Sequence, residues 1–375
     1  MLTLDAAQAA LSNVLDPELG KSLTDAGMIR DLAVDEAGNA KLTVVLTTPA
    51  CPLRQQIGDD VRSALTKAGA VSVELAWDAQ VTRRTIRAED PVPTVANVIL
   101  VMSGKGGVGK STVACNLAMA LLRAGCRVGL LDADVYGPSI PTMLGVSGRP
   151  ISRDGKKIEP LTRFGLKMMS IGFLLEDPKS AVIWRGPMLS GALKQFLGDV
   201  NWGDLDYLVI DLPPGTGDVA LTLAQNVTST GAVIVTTPQE VALQDVYKCV
   251  AMCKKVEIPV LGVVENMSWF EDPTGARHEL FGKGGGEVIA RFAEAPLLGQ
   301  LPLDPRAREW GDAGTPIVQA APGTPVAKVM VQIAERLADR VSVVNAARGD
   351  AGGGAGLEID RSGGQGRVRL PIAKS

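Results

Sequence analysis

Apolar positions change their spacing several times along the chain. Near the N-terminus, Leu4, Ala7, Ala10, Leu11 and Val14 recur at helical intervals and lead into Asp16-Pro17-Glu18. Alternation at Leu42, Val44 and Leu46 predicts a strand, and a helical pattern follows over residues 53–68. Together they predict a small α+β domain over residues 1–82. Residues 83–96, with several charges and the pair Pro91 and Pro93, carry no periodicity and read as a linker. From residue 97 to 343 the pattern becomes one of short Val/Ile/Leu runs separated by helical stretches. The runs at 98–102, 128–131, 207–210, 232–236 and 260–264 are continuously apolar, as strands covered on both faces require. The expected class is α/β, with a mostly parallel sheet and helices on both faces. Residues 344–375 are Gly-rich and predict a disordered tail, apart from a short extended piece at 368–372.

Candidate chemistry begins directly after the first apolar run. Gly104, Lys105, Gly106, Gly107, Val108, Gly109, Lys110, Ser111 and Thr112 fit the P-loop template, with a strand before them and a helical pattern after. Each part has a physical task. The glycines let backbone N–H groups approach a phosphate, the helix N-terminus adds partial positive charge, Lys110 neutralises the β and γ phosphates, and Ser111 offers its hydroxyl to Mg²⁺. Asp132-Ala133-Asp134 closes the second run, where the carboxyl ends of a parallel sheet form a ligand crevice. Asp211, opening Asp211-Leu212-Pro213-Pro214-Gly215-Thr216-Gly217-Asp218, stands where a Walker-B aspartate holds the Mg²⁺ water shell. Asp134 is the candidate for orienting the attacking water.

Composition narrows the alternatives. With 46% hydrophobic and 21% charged residues the chain has material for a sizeable core. Its 38 basic and 41 acidic residues give a net charge of -3, no field for gripping nucleic acid or an anionic membrane. The lone histidine, His278, excludes a His-rich metal site and reads as a surface residue. No stretch approaches the ~18 apolar residues of a membrane span, and the first twenty residues lack the pattern of a secretory signal. The expected location is cytoplasmic. There the five cysteines stay thiols or bind metal. Cys249 and Cys253 stand four apart in a predicted helix and share one face; with Cys115 and Cys126 they read as packing residues.

Residues 97–340 resemble the Mrp/ApbC family of P-loop ATPases, relatives of MinD, ParA and the nitrogenase iron protein. The resemblance rests on GKGGVGKST at 104–112, LLDADVYGPSIP at 130–141, WRGPM at 184–188, WGDLDYLVIDLPPGTGDVALTL at 202–223, TTPQEVAL at 236–243, ENMSWF at 265–270 and LPLDP at 301–305. It implies an ATPase working as a nucleotide-sandwich homodimer, with Lys105 reaching the phosphates of the opposite subunit. It further implies that Asn266 contacts the adenine and that the segment from Pro302 to Asp304 closes over the base. The first domain, with Asp16-Pro17-Glu18 and Thr48-Pro49-Ala50-Cys51-Pro52, resembles the small domain of iron–sulfur assembly systems. There Cys51 is a candidate metal or sulfur ligand, and a half-buried structural thiol is the competing reading.

The function the resemblance implies is ATP-dependent carriage of iron–sulfur clusters to apoprotein clients, in company with iron–sulfur scaffold proteins. Its usual ligand is a CxxC pair after the ENMS motif, through which two chains hold one [4Fe-4S] cluster. This sequence departs from that pattern: residues 269–278 read WFEDPTGARH, without a cysteine. A second reading follows, of an ATP-dependent scaffold that holds no cluster itself. A third, a DNA- or membrane-positioning ATPase, is disfavoured by the acidic balance and by the absence of a basic amphipathic helix at the C-terminus.

Overall fold

A computed structural model describes residues 2–152, 155–174, 186–217, 222 and 227–351. Trp184, Arg185, Asp218 and the tail from residue 352, with the expected extended piece at 368–372, lie outside the described residues.

The small domain is built on α1 (Leu4–Leu11), β1 (Ile29–Val34), β2 (Asn39–Leu46), α2 (Arg54–Lys67) and β3 (Ser72–Ala79). Its sheet has the order β1-β2-β3, with β1 antiparallel and β3 parallel to β2. Leu11, Leu42, Val44, Ile57, Val61 and Leu65 form its core, so the apolar positions predicted for the helices and the strand meet on one side. Val14 also enters this core, from the loop after α1.

The expected linker is an anchored strap. Arg84 donates to both Asp90 oxygens and to the Val92 carbonyl, and both charged side chains are fully buried. The Arg84 N–H donates to the Ala96 carbonyl, and the Asn97 amide donates to the Thr82 carbonyl at 2.8 Å. The next strand, β4 (Val95–Met102), opens two residues inside the stretch read as linker. Charge and proline content hid this, because the two charges cancel only in three dimensions.

The larger domain carries an eight-stranded sheet. After β4 come α3 (Lys110–Arg123), β5 (Val128–Asp132), α4 (Ile140–Met143), β6 (Leu161–Arg163), β7 (Leu166–Ser170), α5 (Gly186–Gly198), β8 (Leu205–Asp211), β9 (Gly231–Thr236), α6 (Glu240–Lys255) and β10 (Val260–Glu265). A two-stranded hairpin, β11 (Phe270–Glu271) with β12 (Arg277–His278), precedes α7 (Gly285–Ala293), β13 (Leu297–Gln300), α8 (Pro305–Asp312), α9 (Ile317–Ala320) and α10 (Pro325–Ala351). The strand order is β13-β10-β9-β4-β8-β5-β7-β6, parallel except for β6 on the edge. Alternate residues of β4 serve opposite layers: Ile99 and Val101 pack with α3 and α10, whereas Val98, Leu100 and Met102 pack with α5 and α6. Both faces are covered, which is why β4 reads as an unbroken apolar run.

The expected tail boundary at residue 344 falls eight residues early. Helix α10 continues to Ala351 because polar side chains tie its last turns to the sheet. Asn345 donates to the Asn97 side chain at 2.9 Å and to Thr82 at 3.1 Å, and Arg348 donates to the Ser229 carbonyl at 3.2 Å.

Candidate functional site

The site grows from the turn between β4 and α3. Gly107 and Gly109 take φ of 80° and 81°, a region that penalises any Cβ. At Gly109 a Cβ would also collide with the Asn266 amide, and at Gly104 it would strike the Asp245–Val246 backbone of α6. Lys110 is the first residue of α3, so the loop delivers its N–H groups to the positive end of that helix.

The Lys110 ammonium is buried between two carboxylates. It lies 2.6 Å from Asp211 Oδ1, 3.3 Å from Asp134 Oδ2 and 3.4 Å from Ser111 Oγ. These acids come from the carboxyl ends of neighbouring strands, Asp211 closing β8 and Asp134 two residues beyond β5, which pairs with β8. Burial pushes the Asp211 carboxyl upward, and the Lys110 charge offsets part of that rise. Its second oxygen, Oδ2, is buried without a hydrogen-bond partner. A buried carboxylate oxygen without a donor is costly in isolation. Beside a phosphate loop and the Ser111 hydroxyl, it fits Mg²⁺ or a water of the Mg²⁺ shell.

Asp132 is a role the sequence reading did not assign. Its Oδ2 accepts from Ser170 Oγ at 3.0 Å and the Ile140 N–H at 3.2 Å, while Oδ1 accepts from the Asp134 N–H at 3.2 Å. It thus ties β7 to the loop carrying Asp134. Burial and then the Asp211 charge push its carboxyl up to about 7. Asp134 Oδ1 in turn accepts from the Tyr136 and Gly137 N–H groups, fixing the same loop.

A cavity of about 560 Å³ opens over the loop, within the range of nucleotide-sized sites. Lys105, Ser111, Asp134, Asn266, Pro302 and Asp304 all line it, so one crevice gathers the predicted phosphate end and the predicted base end. Lys105 is exposed. Asn266 reaches the loop itself, donating to the Val108 carbonyl at 2.9 Å. Asp304 caps α8, accepting from the Arg306 N–H at 2.9 Å.

Cys51 lies elsewhere, half-buried in the turn before α2. Burial, then nearby carboxylates, push its thiol up to about 12. Among the described residues no three His, Cys, Asp or Glu side chains converge as a metal site. Cys115, Cys126, Cys249 and Cys253 are buried packing residues, as expected, and His278 is exposed on β12, where Nε2 lies 2.7 Å from Asp272.

The sequence family models agree with this architecture. A model described as NUBPL iron-transfer P-loop NTPase matches residues 94–338. The chain belongs to that family. A second model, described as iron-sulfur cluster assembly protein, matches residues 4–75. The iron-sulfur cluster carrier protein of Synechocystis sp. is 50% identical over 351 residues, spanning 92% of this chain and 99% of its own length. The protein of the same name from Escherichia coli K12 is 44% identical, spanning 88% and 89%. Among solved structures, a nucleotide-binding protein from Archaeoglobus fulgidus in complex with ADP superposes with a TM-score of 0.53 at 43% identity, covering 59% of this chain and 87% of its own. As a member of this NTPase family, the chain is an ATPase. No helix among the described residues is long and apolar enough to cross a membrane.

Proposed function

We propose that this protein binds and hydrolyses ATP to carry iron–sulfur clusters to apoproteins, working as a nucleotide-gated homodimer in the cytoplasm. The observation that carries the enzymatic half is the buried Lys110 ammonium, which Asp211 and Asp134 hold at the mouth of the glycine loop. Arriving phosphate oxygens offer Lys110 a denser negative charge, and the lysine exchanges its carboxylates for the β and γ phosphates. That exchange frees Asp134 to accept a hydrogen bond from water aligned with the γ-phosphorus. Water then forms the new P–O bond as the bond to the ADP oxygen breaks, and Lys110 stays on the leaving oxygens. Ser111 and Asp211 would hold Mg²⁺, which supplies neutralisation of the charge developing on the phosphates. Asn266, Pro302 and Asp304 hold the nucleoside end. Lys105, exposed at the loop, extends to the phosphates of the second subunit.

The carrier half is supported by the names of the relatives and by the small assembly-type domain. The cluster is cargo, with Cys51 as its candidate ligand. The scaffold reading is favoured by the same thiol, which burial pushes upward and around which no cluster of co-ligands gathers among the described residues. Anaerobic reconstitution followed by iron and acid-labile sulfide analysis, on the natural chain and Cys51→Ser, decides between them. About four irons per dimer, lost in Cys51→Ser, is the carrier's outcome. No iron in either chain is the scaffold's.

A further inference from the structure

Glu265 closes β10 one residue before Asn266 and is fully buried. A buried carboxylate is costly unless its oxygens are hydrogen-bonded, and both of these are. Oε2 accepts from the Gly286 N–H at 2.6 Å, in the first turn of α7, and Oε1 accepts from Gln300 Nε2 at 2.9 Å, at the end of β13. Both donors are neutral, and the positive end of α7 faces the charge. The approach is so close that a Cβ on Gly286 would come within 2.7 Å of the Glu265 Cβ. One side chain thus joins three elements.

The main chain of Glu265 joins the segments that carry the predicted base contacts. Its carbonyl accepts from the Leu301 N–H at 2.8 Å and from Ser268 Oγ at 3.1 Å, and the Ser268 N–H donates to the Leu301 carbonyl at 2.9 Å. Leu301 leads directly into Pro302, Leu303 and Asp304, and the Leu303 N–H donates to the Trp269 carbonyl at 2.7 Å. Between Asn266 and Ser268, Met267 takes φ of 58°, a left-handed conformation that persists only where the surroundings impose it. That strained turn sets Asn266 and Met267 into the wall of the crevice, with the Asn266 amide on the Val108 carbonyl.

We propose that Glu265 is a positioning residue for the nucleoside end of ATP. Its carboxylate clamps β10, α7 and β13 together and so holds the turn at 265–268 and the segment at 301–304 in one arrangement, with Asn266 and Pro302 lining the same crevice. The role rests on the base-end reading of those two residues. The base lies away from the reacting phosphorus, so the contacts that Glu265 holds in place bind substrate and transition state alike. Glu265 therefore sets KM and leaves kcat alone.

The test is steady-state ATP hydrolysis by the full chain carrying Glu265→Ala, Glu265→Gln, Gln300→Ala or Asn266→Ala, each checked for folding by circular dichroism. Glu265→Ala should raise KM for ATP at least about tenfold, with kcat within about threefold of the natural value. Glu265→Gln should bring KM back to within about threefold, because its amide oxygen still accepts from Gly286 and its NH2 donates to the Gln300 oxygen once that amide turns over. Gln300 is partly exposed and supplies one donor only. Its replacement by Ala should raise KM about threefold or more and add nothing further in the Glu265→Ala chain, since it acts through that carboxylate. Natural KM in Glu265→Ala, or in Gln300→Ala should the first chain not fold, overturns the clamp alone when Asn266→Ala has raised KM. Natural KM in Asn266→Ala overturns the base-end reading and the positioning role with it. A KM that rises as far in Glu265→Gln as in Glu265→Ala, or a kcat that falls together with the rise, also overturns the role.

Discussion

At the scale of single residues, the site turns on one cation and three acids. The P-loop spacing singles out Lys110, and the structure sets it at the start of α3 beside Asp134 and Asp211. Asp134 and Asp211 were legible because strand ends in a parallel sheet face a common crevice. Asp132 was not, since its role depends on Ser170, a residue thirty-eight positions away that β7 brings alongside β5. Asp134→Ala should keep ATP binding within a few-fold but lower turnover by roughly 10²-fold or more, as expected for loss of a water-orienting carboxylate. Equilibrium nucleotide binding and phosphate release, measured on the same preparation, check both halves. Full turnover in Asp134→Ala would place the water on another group.

Among the elements, the continuous apolar strands were read correctly and nearly to the residue, because burial on both faces leaves no polar interruption. β4, β5, β8, β9 and β10 extend the predicted runs by three residues at most. The missed strands have weaker signatures. Ser72–Ala79 is half-exposed along its length, and Leu166–Ser170 carries a lysine and two methionines. The strap at residues 83–96 shows a different limit, that of a pair whose charges cancel only after folding. Burial alone would raise the Asp90 carboxyl, but the Arg84 hydrogen bonds and charge outweigh it and the net shift is downward. Arg84→Met strands that buried carboxylate and should cost about 3–5 kcal/mol near neutral pH, measurable by urea unfolding. A lowered carboxyl stabilises the fold above its unfolded value and loses that contribution as pH falls through the folded one. The gap between Arg84→Met and the natural chain should therefore narrow below about pH 4. A gap independent of pH would show that the cost lies in lost packing.

For the whole molecule, the change in periodicity after residue 96 falls between the three-stranded and the eight-stranded sheet, whereas contacts between the two were not legible. Nothing in Thr48-Pro49-Ala50 as a string announces that the Tyr207 hydroxyl lies 3.4 Å from Thr48 Oγ1 across the seam. The proposed dimer is likewise a property of two chains, and Lys105 is its most direct probe. Lys105→Ala should leave nucleotide affinity of a single chain within a few-fold while abolishing ATP-dependent pairing, seen as a monomer by sedimentation velocity with and without nucleotide. Unaltered pairing would assign Lys105 to the solvated loop.

All of these expectations require that the glycine turn hold a triphosphate through Lys110. Calorimetric titration of the full chain with ATP and Mg²⁺, beside Lys110→Ala, addresses that directly. The predicted result is saturable heat at about one nucleotide per chain, absent in Lys110→Ala, whose folding is checked by circular dichroism at the temperature of the titration. Absence of heat from the natural chain, or equal affinity in Lys110→Ala, would contradict the account.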